Sequence, residues 1–132
     1  MKFFLDNNLP PKIARAFNTL ASPSHTFIHL KEHGEFSAAA PDVEWIEHLA
    51  KEKGWIILTK DGNILKKPVE KAAFKKARLT GFFLDKSWND LNFWLLTSKL
   101  ADRMPQILEL AEKSTPGTCF RVHVRSRDIQ QL

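Results

Sequence analysis

Short apolar or alternating runs, typical of strands, alternate along this chain with segments whose apolar residues recur at helical spacing. This order constrains the fold more than any other feature, because strands joined by helix-length connections pair in parallel. Strands are predicted at residues 2–5, 25–30, 55–58, 81–84 and 118–124, and helices at residues 9–21, 41–53, 68–78 and 90–113, with a potential break before Pro105. The pattern predicts an α/β fold with a mainly parallel sheet. The wholly apolar run at 55–58 is expected at its centre and the alternating run at 118–124 at its edge.

The length of the chain, 132 residues, suits one domain spanning residues 1–132. Cys119 is the sole cysteine, so neither a disulfide within the chain nor a multi-cysteine zinc site can form. No apolar run approaches the ~20 residues that span a bilayer, and the apolar start meets Asp6 at once, unlike a signal peptide. A cytoplasmic protein with no membrane partner is therefore expected.

The net charge of +5 favours polyanionic partners such as nucleic acid.

Aspartates stand where three of the predicted strands end and where one predicted helix begins. Asp6 follows the first strand, Asp61 the third and Asp85 the fourth, while Asp42 opens the second helix. The carboxyl ends of parallel strands meet at one edge of a sheet, and ligands bind there in open α/β folds. Aspartates that are far apart in sequence are therefore expected to converge at that edge.

Converging carboxylates repel one another, and a hard divalent cation that prefers oxygen ligands relieves the repulsion. Asp6, Asp42 and Asp61 are the candidate catalytic residues. Together with Asp85 they are the candidate ligands of Mg²⁺ or Mn²⁺, a type of ion that can activate water and neutralise charge on a phosphodiester. Two alternatives stay open. Glu44 can replace Asp42 as the helix acid, and Asp42 or Asp85 can be an ordinary cap or turn residue.

Two stretches of the chain resemble motifs of the PIN-like protein family. Residues 2–11, KFFLDNNLPP, resemble the family's opening "FLLDENLPP". Pro41-Asp42 through Gly54, followed by WIILTKD at residues 55–61, resemble its "SDEEI…G.VLVTRD" pattern. The motifs occur in the family's order and cover the first half of the chain, and the order of elements extends the resemblance over the rest.

This resemblance implies a three-layer α/β/α sandwich that acts as a ribonuclease, cleaving RNA with Mg²⁺ or Mn²⁺ held by clustered acids. Such ribonucleases are often VapC-type toxins that a cognate antitoxin protein neutralises, and homodimers are common in the family. By position, Asp6 matches the family's first-strand acid, Asp42 its helix acid and Asp61 its third-strand acid.

The resemblance also marks supporting positions, and it is imperfect at two of them. Asn8 matches the asparagine of the opening motif. The family often has acids where Asn7 and Asn63 stand, and an asparagine can offer a carbonyl oxygen but no negative charge. The residues expected to support the site are Asn8, Glu44, Thr59, Lys60 and Asn63.

The densest positive segment is residues 66–78. Four of its basic residues recur at spacings of four, four and three, which predicts one stripe along a helix. We interpret this stripe as an RNA-binding surface, with a merely solvated helix face as the alternative. Its members are Lys67, Lys71, Lys75 and Arg78.

Basic residues also alternate near the C-terminus, where they are expected on one strand face. They are Arg121, His123, Arg125 and Arg127. This face suits RNA or an acidic segment of an antitoxin, and simple solvent exposure is the alternative. Among the tryptophans, Trp88 follows a predicted strand end and is the best candidate to stack on a base. Core or rim packing is nevertheless the favoured interpretation of Trp88.

Other protein classes fit parts of the pattern. A haloacid-dehalogenase-like phosphatase also begins with an apolar strand ending in aspartate, but it needs an acid where Asn8 stands. A receiver domain needs an acidic pair after its first strand, which Asn7 interrupts. A PIN-like module that binds nucleic acid or protein without cleaving it fits the missing acids at Asn7 and Asn63.

Overall fold

The computed structural model describes residues 1–132 and contains one six-stranded sheet. The strands are β1 (Lys2–Leu5), β2 (Thr26–His29), β3 (Trp55–Thr59), β4 (Thr80–Leu84), β5 (Cys119–Val122) and β6 (Gln130–Gln131). They lie side by side in the order β2–β1–β3–β4–β5–β6, and every neighbouring pair is parallel except β5 with β6. The predicted α/β class with a mainly parallel sheet is confirmed.

Four α-helices connect the parallel strands. They are α1 (Pro11–Ala21), α2 (Asp42–Glu52), α3 (Pro68–Ala77) and α4 (Phe93–Lys113), and short 3-10 turns stand at Leu30–Glu32, Gly62–Leu65 and Lys86–Trp88. The predicted break before Pro105 is absent, because the buried stripe of Leu100, Met104 and Ile107 anchors α4 on both sides of the proline. None of the four helices has the combination of length and apolarity needed to cross a membrane.

The helices cover both faces of the sheet and form a three-layer sandwich. On one face, α1 and α4 pack over Phe3, Leu58 and Phe82. On the other, α2 and α3 pack over Phe4 and Ile57. A Cβ at Gly81 of β4 would lie 2.9 Å from the Phe74 ring of α3, so the glycine lets that ring approach the strand closely. We call the two sides the α1/α4 face and the α2/α3 face.

The connection from β4 to β5 differs from the other three. From β2 onward, each connection moves the chain in the same direction across the sheet, through α2, α3 and then α4. Because α2 and α3 lie on one face and α4 lies on the other, the β4–α4–β5 crossover has the opposite hand. A change of hand is rare in parallel sheets. As a result no helix on the α2/α3 face follows α3 toward β5.

The predicted edge position of the last long strand is wrong. β5 is shorter than expected, and β6 pairs antiparallel outside it, with Arg121 opposite Gln130. Sequence patterning missed β6 because two polar residues carry no alternation of apolar and polar side chains. The true outer strands of the sheet are β2 and β6.

Candidate metal centre

Three of the predicted acids meet at the carboxyl edge of the sheet, on the α2/α3 side. β1 and β3 are neighbours with Leu5 opposite Leu58, so the residues that follow both strands emerge together. Asp6 comes directly after β1, Asp61 lies two residues past β3, and Asp42 is the first residue of α2. One carboxylate oxygen from each of the three lies within 4.8 Å of the others.

Asp6 is the buried member of the cluster, with 2% of its surface exposed. Its Oδ2 accepts hydrogen bonds from the Thr59 hydroxyl at 2.7 Å and the Asn8 side-chain amide at 3.4 Å, and its Oδ1 accepts from the Asn8 backbone N–H at 3.2 Å. These donors favour the ionised carboxylate, but burial outweighs them and raises the pKa of Asp6 to about 6. Asn8 therefore fixes the Asp6 carboxylate through two hydrogen bonds.

Thr59 links two of the acids through one hydroxyl group. Its side chain is fully buried at the end of β3. Its Oγ1 donates to Asp6 and accepts a 2.8 Å hydrogen bond from the backbone N–H of Asp61. A threonine at this position thus fixes the first-strand acid relative to the loop that carries the third-strand acid.

Asp42 is held by a tryptophan one helical turn away. The Trp45 indole Nε1–H donates to Asp42 Oδ1 at 2.9 Å, and the indole itself is fully buried. Burial, together with the nearby charge of Asp61, raises the pKa of Asp42, and the Trp45 hydrogen bond opposes that rise. Glu44 is exposed and contributes no oxygen to the cluster, so Asp42 is the acid that the helix brings to this edge.

Asp61 shares its carboxylate between the cluster and its own loop. Its Oδ1 accepts a 2.9 Å hydrogen bond from the backbone N–H of Asn63 and caps the turn Gly62–Leu65. Asn63 is exposed and makes this contact through its backbone. Lys60 is half-buried beside the cluster and forms no ion pair with it.

The charge of the cluster is not balanced by any direct partner. No lysine, arginine or histidine forms an ion pair with Asp6, Asp42 or Asp61, and Lys67 acts on Asp42 only from a greater distance. A buried carboxylate and two half-buried ones, all offering oxygen, form the kind of donor set that Mg²⁺ and Mn²⁺ prefer. The residues present therefore fit a divalent metal ion.

Asp85 does not take the position predicted for a metal ligand, and Trp88 packs in the core. Asp85 is outside the cluster, and its Oδ1 accepts hydrogen bonds from the Ser87 backbone and hydroxyl, which caps the turn Lys86–Trp88. Trp88 is fully buried and donates to the Val122 carbonyl at 2.9 Å. Core packing, which the sequence favoured for Trp88, is therefore confirmed, and the alternative stacking role is excluded. The exposed tryptophan is Trp94.

Asn7 has a structural contact where the family often has an acid. Its side-chain amide donates to the Ala38 carbonyl at 2.7 Å. This bond ties the loop before α2 to the end of β1, and so helps to place Asp42. At this position the side chain thus brings no negative charge to the three-acid cluster, and its amide N–H serves the loop before α2.

The basic stripe runs along α3 from one edge of the sheet to the other. Lys67 precedes the helix at the carboxyl edge, and Lys71 and Lys75 are exposed along it. Arg78 follows the helix with a φ of 52° and lies beside Gly117, at the opposite edge. The prediction that the C-terminal basic residues share one strand face is wrong, because β5 ends at Val122 and only Arg121 lies in it. Arg127 is further separated by a 2.7 Å ion pair with Asp102 of α4.

Sequence reasoning missed the part that Trp45 plays in the site. A tryptophan three residues after an acid on one helix lies on the same side, so the spacing offered a clue. The apolar pattern of α2 had assigned Trp45 to the core alone. Its indole ring does pack in the core, and only its N–H reaches the acid.

Comparison with known proteins agrees with this geometry. A family model described as a PIN like domain matches residues 1–86, which is more than half of the chain. The match includes β1 to β4 and all three clustered acids. No curated protein and no solved structure matched the chain. The chain therefore belongs to the PIN-like domain family.

Proposed function

We propose that this protein is a metal-dependent endoribonuclease, a hydrolase that cleaves RNA phosphodiester bonds at the Asp6–Asp42–Asp61 cluster. PIN-like domains are generally nucleases. The observation that carries the proposal is the approach of three carboxylates to within 4.8 Å without a basic partner. Keeping three acids this close serves no packing purpose, because each like charge destabilises the others.

The three carboxylates would hold the Mg²⁺ or Mn²⁺ ion. Such an ion, when bound, lowers the pKa of water and neutralises charge on the scissile phosphate. The protein's own contribution is to order the ligand oxygens: Thr59 and Asn8 hold Asp6, and Trp45 holds Asp42. The burial of Asp6 excludes water from one side of the site.

The α3 stripe supports RNA as the substrate. Residues 60–78 contain seven basic and two acidic residues, so this segment accounts for the entire net charge of +5. In this proposal the RNA that reaches the acids has its phosphates bound by the stripe, because lysine and arginine contact the nucleic-acid backbone independently of sequence. The residues of the stripe are Lys67, Lys71, Lys75 and Arg78.

The resemblance to the PIN-like family also supports a proposal about the cellular role of the protein. We propose that the protein is the toxin of a toxin–antitoxin pair, of VapC type, that works in the cytoplasm and is inhibited by a cognate antitoxin. A homodimer is part of this proposal. The supporting observations are the two N-terminal motifs and the family match over residues 1–86.

A catalytically weak or inactive binding module is the second candidate. The observation that favours it is that Asn7 and Asn63 occupy positions where the family often has acids, and neither adds a negative charge to the cluster. Such a module would keep the basic surface and bind nucleic acid or protein without turnover.

Cleavage of a mixed RNA pool by the purified protein, with Mn²⁺ or Mg²⁺ and with EDTA, tests the proposal. We expect metal-dependent cleavage that falls by at least ~100-fold in Asp6→Asn and in Asp61→Asn, because each removes a charged ligand. Asp90→Asn is the matched control, since Asp90 is exposed and lies outside the cluster. Absence of cleavage by folded, metal-supplied protein would favour the binding module. Cleavage that survives both cluster substitutions would place the active site elsewhere.

A further inference from the structure

The opposite-hand crossover through α4 leaves part of the α2/α3 face without a helix. In one row of residues across the sheet, Thr59 of β3 is paired with Phe83 of β4, and Phe83 with Arg121 of β5. Phe83 is 3% exposed because Phe74 of α3 covers it, whereas Arg121 is exposed. The helical layer therefore ends above β4, and β5 forms an open floor beside α3.

This floor is basic and polar. Arg121 of β5 is exposed, and the residue paired with it on β6, Gln130, is also exposed. His123 and Arg125 follow the end of β5 and are exposed in the segment that leads to β6. Neither Arg121 nor Arg125 has an acidic partner within ion-pair distance. β5 and β6 contain no acidic side chain, and Asp85, which follows the neighbouring strand β4, caps its own turn and pairs with no base.

The wall of the same surface is the basic stripe of α3. α2 and α3 pack side by side, and Ala73 is partly buried in the core they share. With 3.6 residues per turn, Lys71 and Lys75 each lie roughly 160° around the helix from Ala73. They therefore occupy the flank of α3 that is turned away from α2 and toward β5, and neither forms an ion pair.

Wall and floor are close to the acidic cluster. Arg121 lies two strands from Thr59 in the same row, which is about 10 Å between Cα atoms at ordinary strand spacing. Thr59 is the residue that holds Asp6. The path from the cluster along α3 and β5 thus offers positive charge on two sides. Its one ion pair is that of Lys67 with Glu70 at the start of α3, and beyond it Lys71, Lys75 and Arg121 are unpaired.

We propose that this α3–β5 surface binds the phosphate backbone of single-stranded RNA and leads it to the acids. It is made of Lys71 and Lys75 of α3, Arg121 of β5, and His123 and Arg125 in the segment that follows β5. The proposal rests on the proposed ribonuclease function and adds to it a second, strand-borne half of the binding site. A single strand fits because the open floor is only two strands wide, about 10 Å. Phosphate is the favoured ligand because the exposed lysines and arginines of this surface form no ion pair and are free to neutralise phosphates.

The test measures binding without cleavage. A fluorescein-labelled 12-nucleotide oligouridylate is titrated with the intact protein in EDTA, over a series of salt concentrations, by fluorescence anisotropy. Arg121→Ala/Arg125→Ala is expected to weaken binding by roughly tenfold and to make the slope of log K against log salt about 1.4 less steep, since each contact to a single strand contributes ~0.7. Arg121→Lys, which keeps the charge, should retain the wild-type slope.

Lys113→Ala/Arg127→Ala is the matched control, because it removes two positive charges that are already paired with Glu109 and Asp102 on the α1/α4 face. Equal slopes for the two double variants, or no salt-dependent binding by the wild type, would overturn the proposal. The same titration is made with labelled oligoglutamate. If Arg121→Ala/Arg125→Ala weakens binding of oligoglutamate but not of oligouridylate, the surface binds an acidic protein segment instead of RNA. Because EDTA prevents metal-dependent cleavage, loss of the slope in the arginine variant supports the proposal even if the ribonuclease assay fails.

Discussion

Two aspartates that follow buried strands at the same edge of the sheet have different surroundings. Asp6, after β1, is 2% exposed, accepts hydrogen bonds from Thr59 and Asn8, and lies within 4.8 Å of two other acids. Asp85, after β4, is half-buried and uses an oxygen to cap its own turn at Ser87. A carboxylate after a strand is therefore not sufficient to mark a site.

Strand order explains the difference better than local capping does. Asp61 also caps its own turn, yet it belongs to the cluster because β3 is the immediate neighbour of β1. β4 is two strands from β1, or about 10 Å, which places Asp85 beyond direct reach of Asp6. The position of a strand in the sheet decides which of its terminal residues meet.

The largest expected effect separates these two aspartates in metal binding. By isothermal titration calorimetry with Mn²⁺ near neutral pH, Asp6→Asn should weaken binding by at least ~100-fold, because it removes a charged ligand. Asp85→Asn should stay within about threefold of the wild type, since its carboxylate serves only a turn. Similar losses in both variants would mean that Asp85 belongs to the metal centre after all.

A second difference should appear as a pH dependence of stability. The pKa of Asp6 is raised from 3.8 to about 6 in the folded protein, so the folded state holds this proton more tightly than the unfolded chain does. The resulting stabilisation of the fold is fully present below pH 3.8 and is lost as the pH rises through 6. In EDTA, the free energy of unfolding of the wild type should fall over this range by roughly 3 kcal/mol relative to Asp6→Asn.

Urea denaturation at several pH values measures this difference, with Asp85→Asn as the control that should follow the wild type. Saturating Mn²⁺ should reduce the fall, because the metal favours the ionised carboxylate. A wild type and an Asp6→Asn variant with parallel pH profiles would contradict the burial argument.

Thr59 provides the next test, since Asp85 has no equivalent residue on a neighbouring strand. Thr59→Val keeps the shape of the side chain but removes the hydroxyl that joins Asp6 to the Asp61 backbone. Affinity for Mn²⁺ should fall by about 10- to 100-fold, as is usual when a residue that orients a ligand is lost. Thr59→Ser should restore most of it, and equal affinities in the two variants would rule out this positioning role.

The smallest expected effect concerns two buried tryptophans. Trp45 donates to Asp42, and Trp88 donates to the Val122 carbonyl. Replacing either by phenylalanine removes one hydrogen bond, about 1 kcal/mol, and also ring volume from the core, so the two variants should lose similar amounts of unfolding free energy. Only Trp45→Phe should also weaken Mn²⁺ binding, and an equal weakening by Trp88→Phe would indicate a general loss of order rather than a local one.

The alternation of strands and helices determined much of this protein without reference to its tertiary structure. Apolar runs and helical spacing predicted β1 to β5 and α1 to α4, and strand ends predicted Asp6 and Asp61 at one edge. These predictions succeed because local periodicity reflects which side of an element is buried. The first-turn position of Asp42 was predicted in the same way.

Tertiary structure alone decided which acids meet and which surface stays open. The order β2–β1–β3–β4–β5–β6 excludes Asp85 from the cluster, and it is set by packing between distant segments rather than by any local pattern. The passage of α4 to the α1/α4 face likewise leaves Arg121 uncovered. Periodicity shows which side of a helix is buried, but it does not show which face of the sheet covers that side. The hydrophobic effect is non-directional, so the choice of face depends on the packing of the whole core.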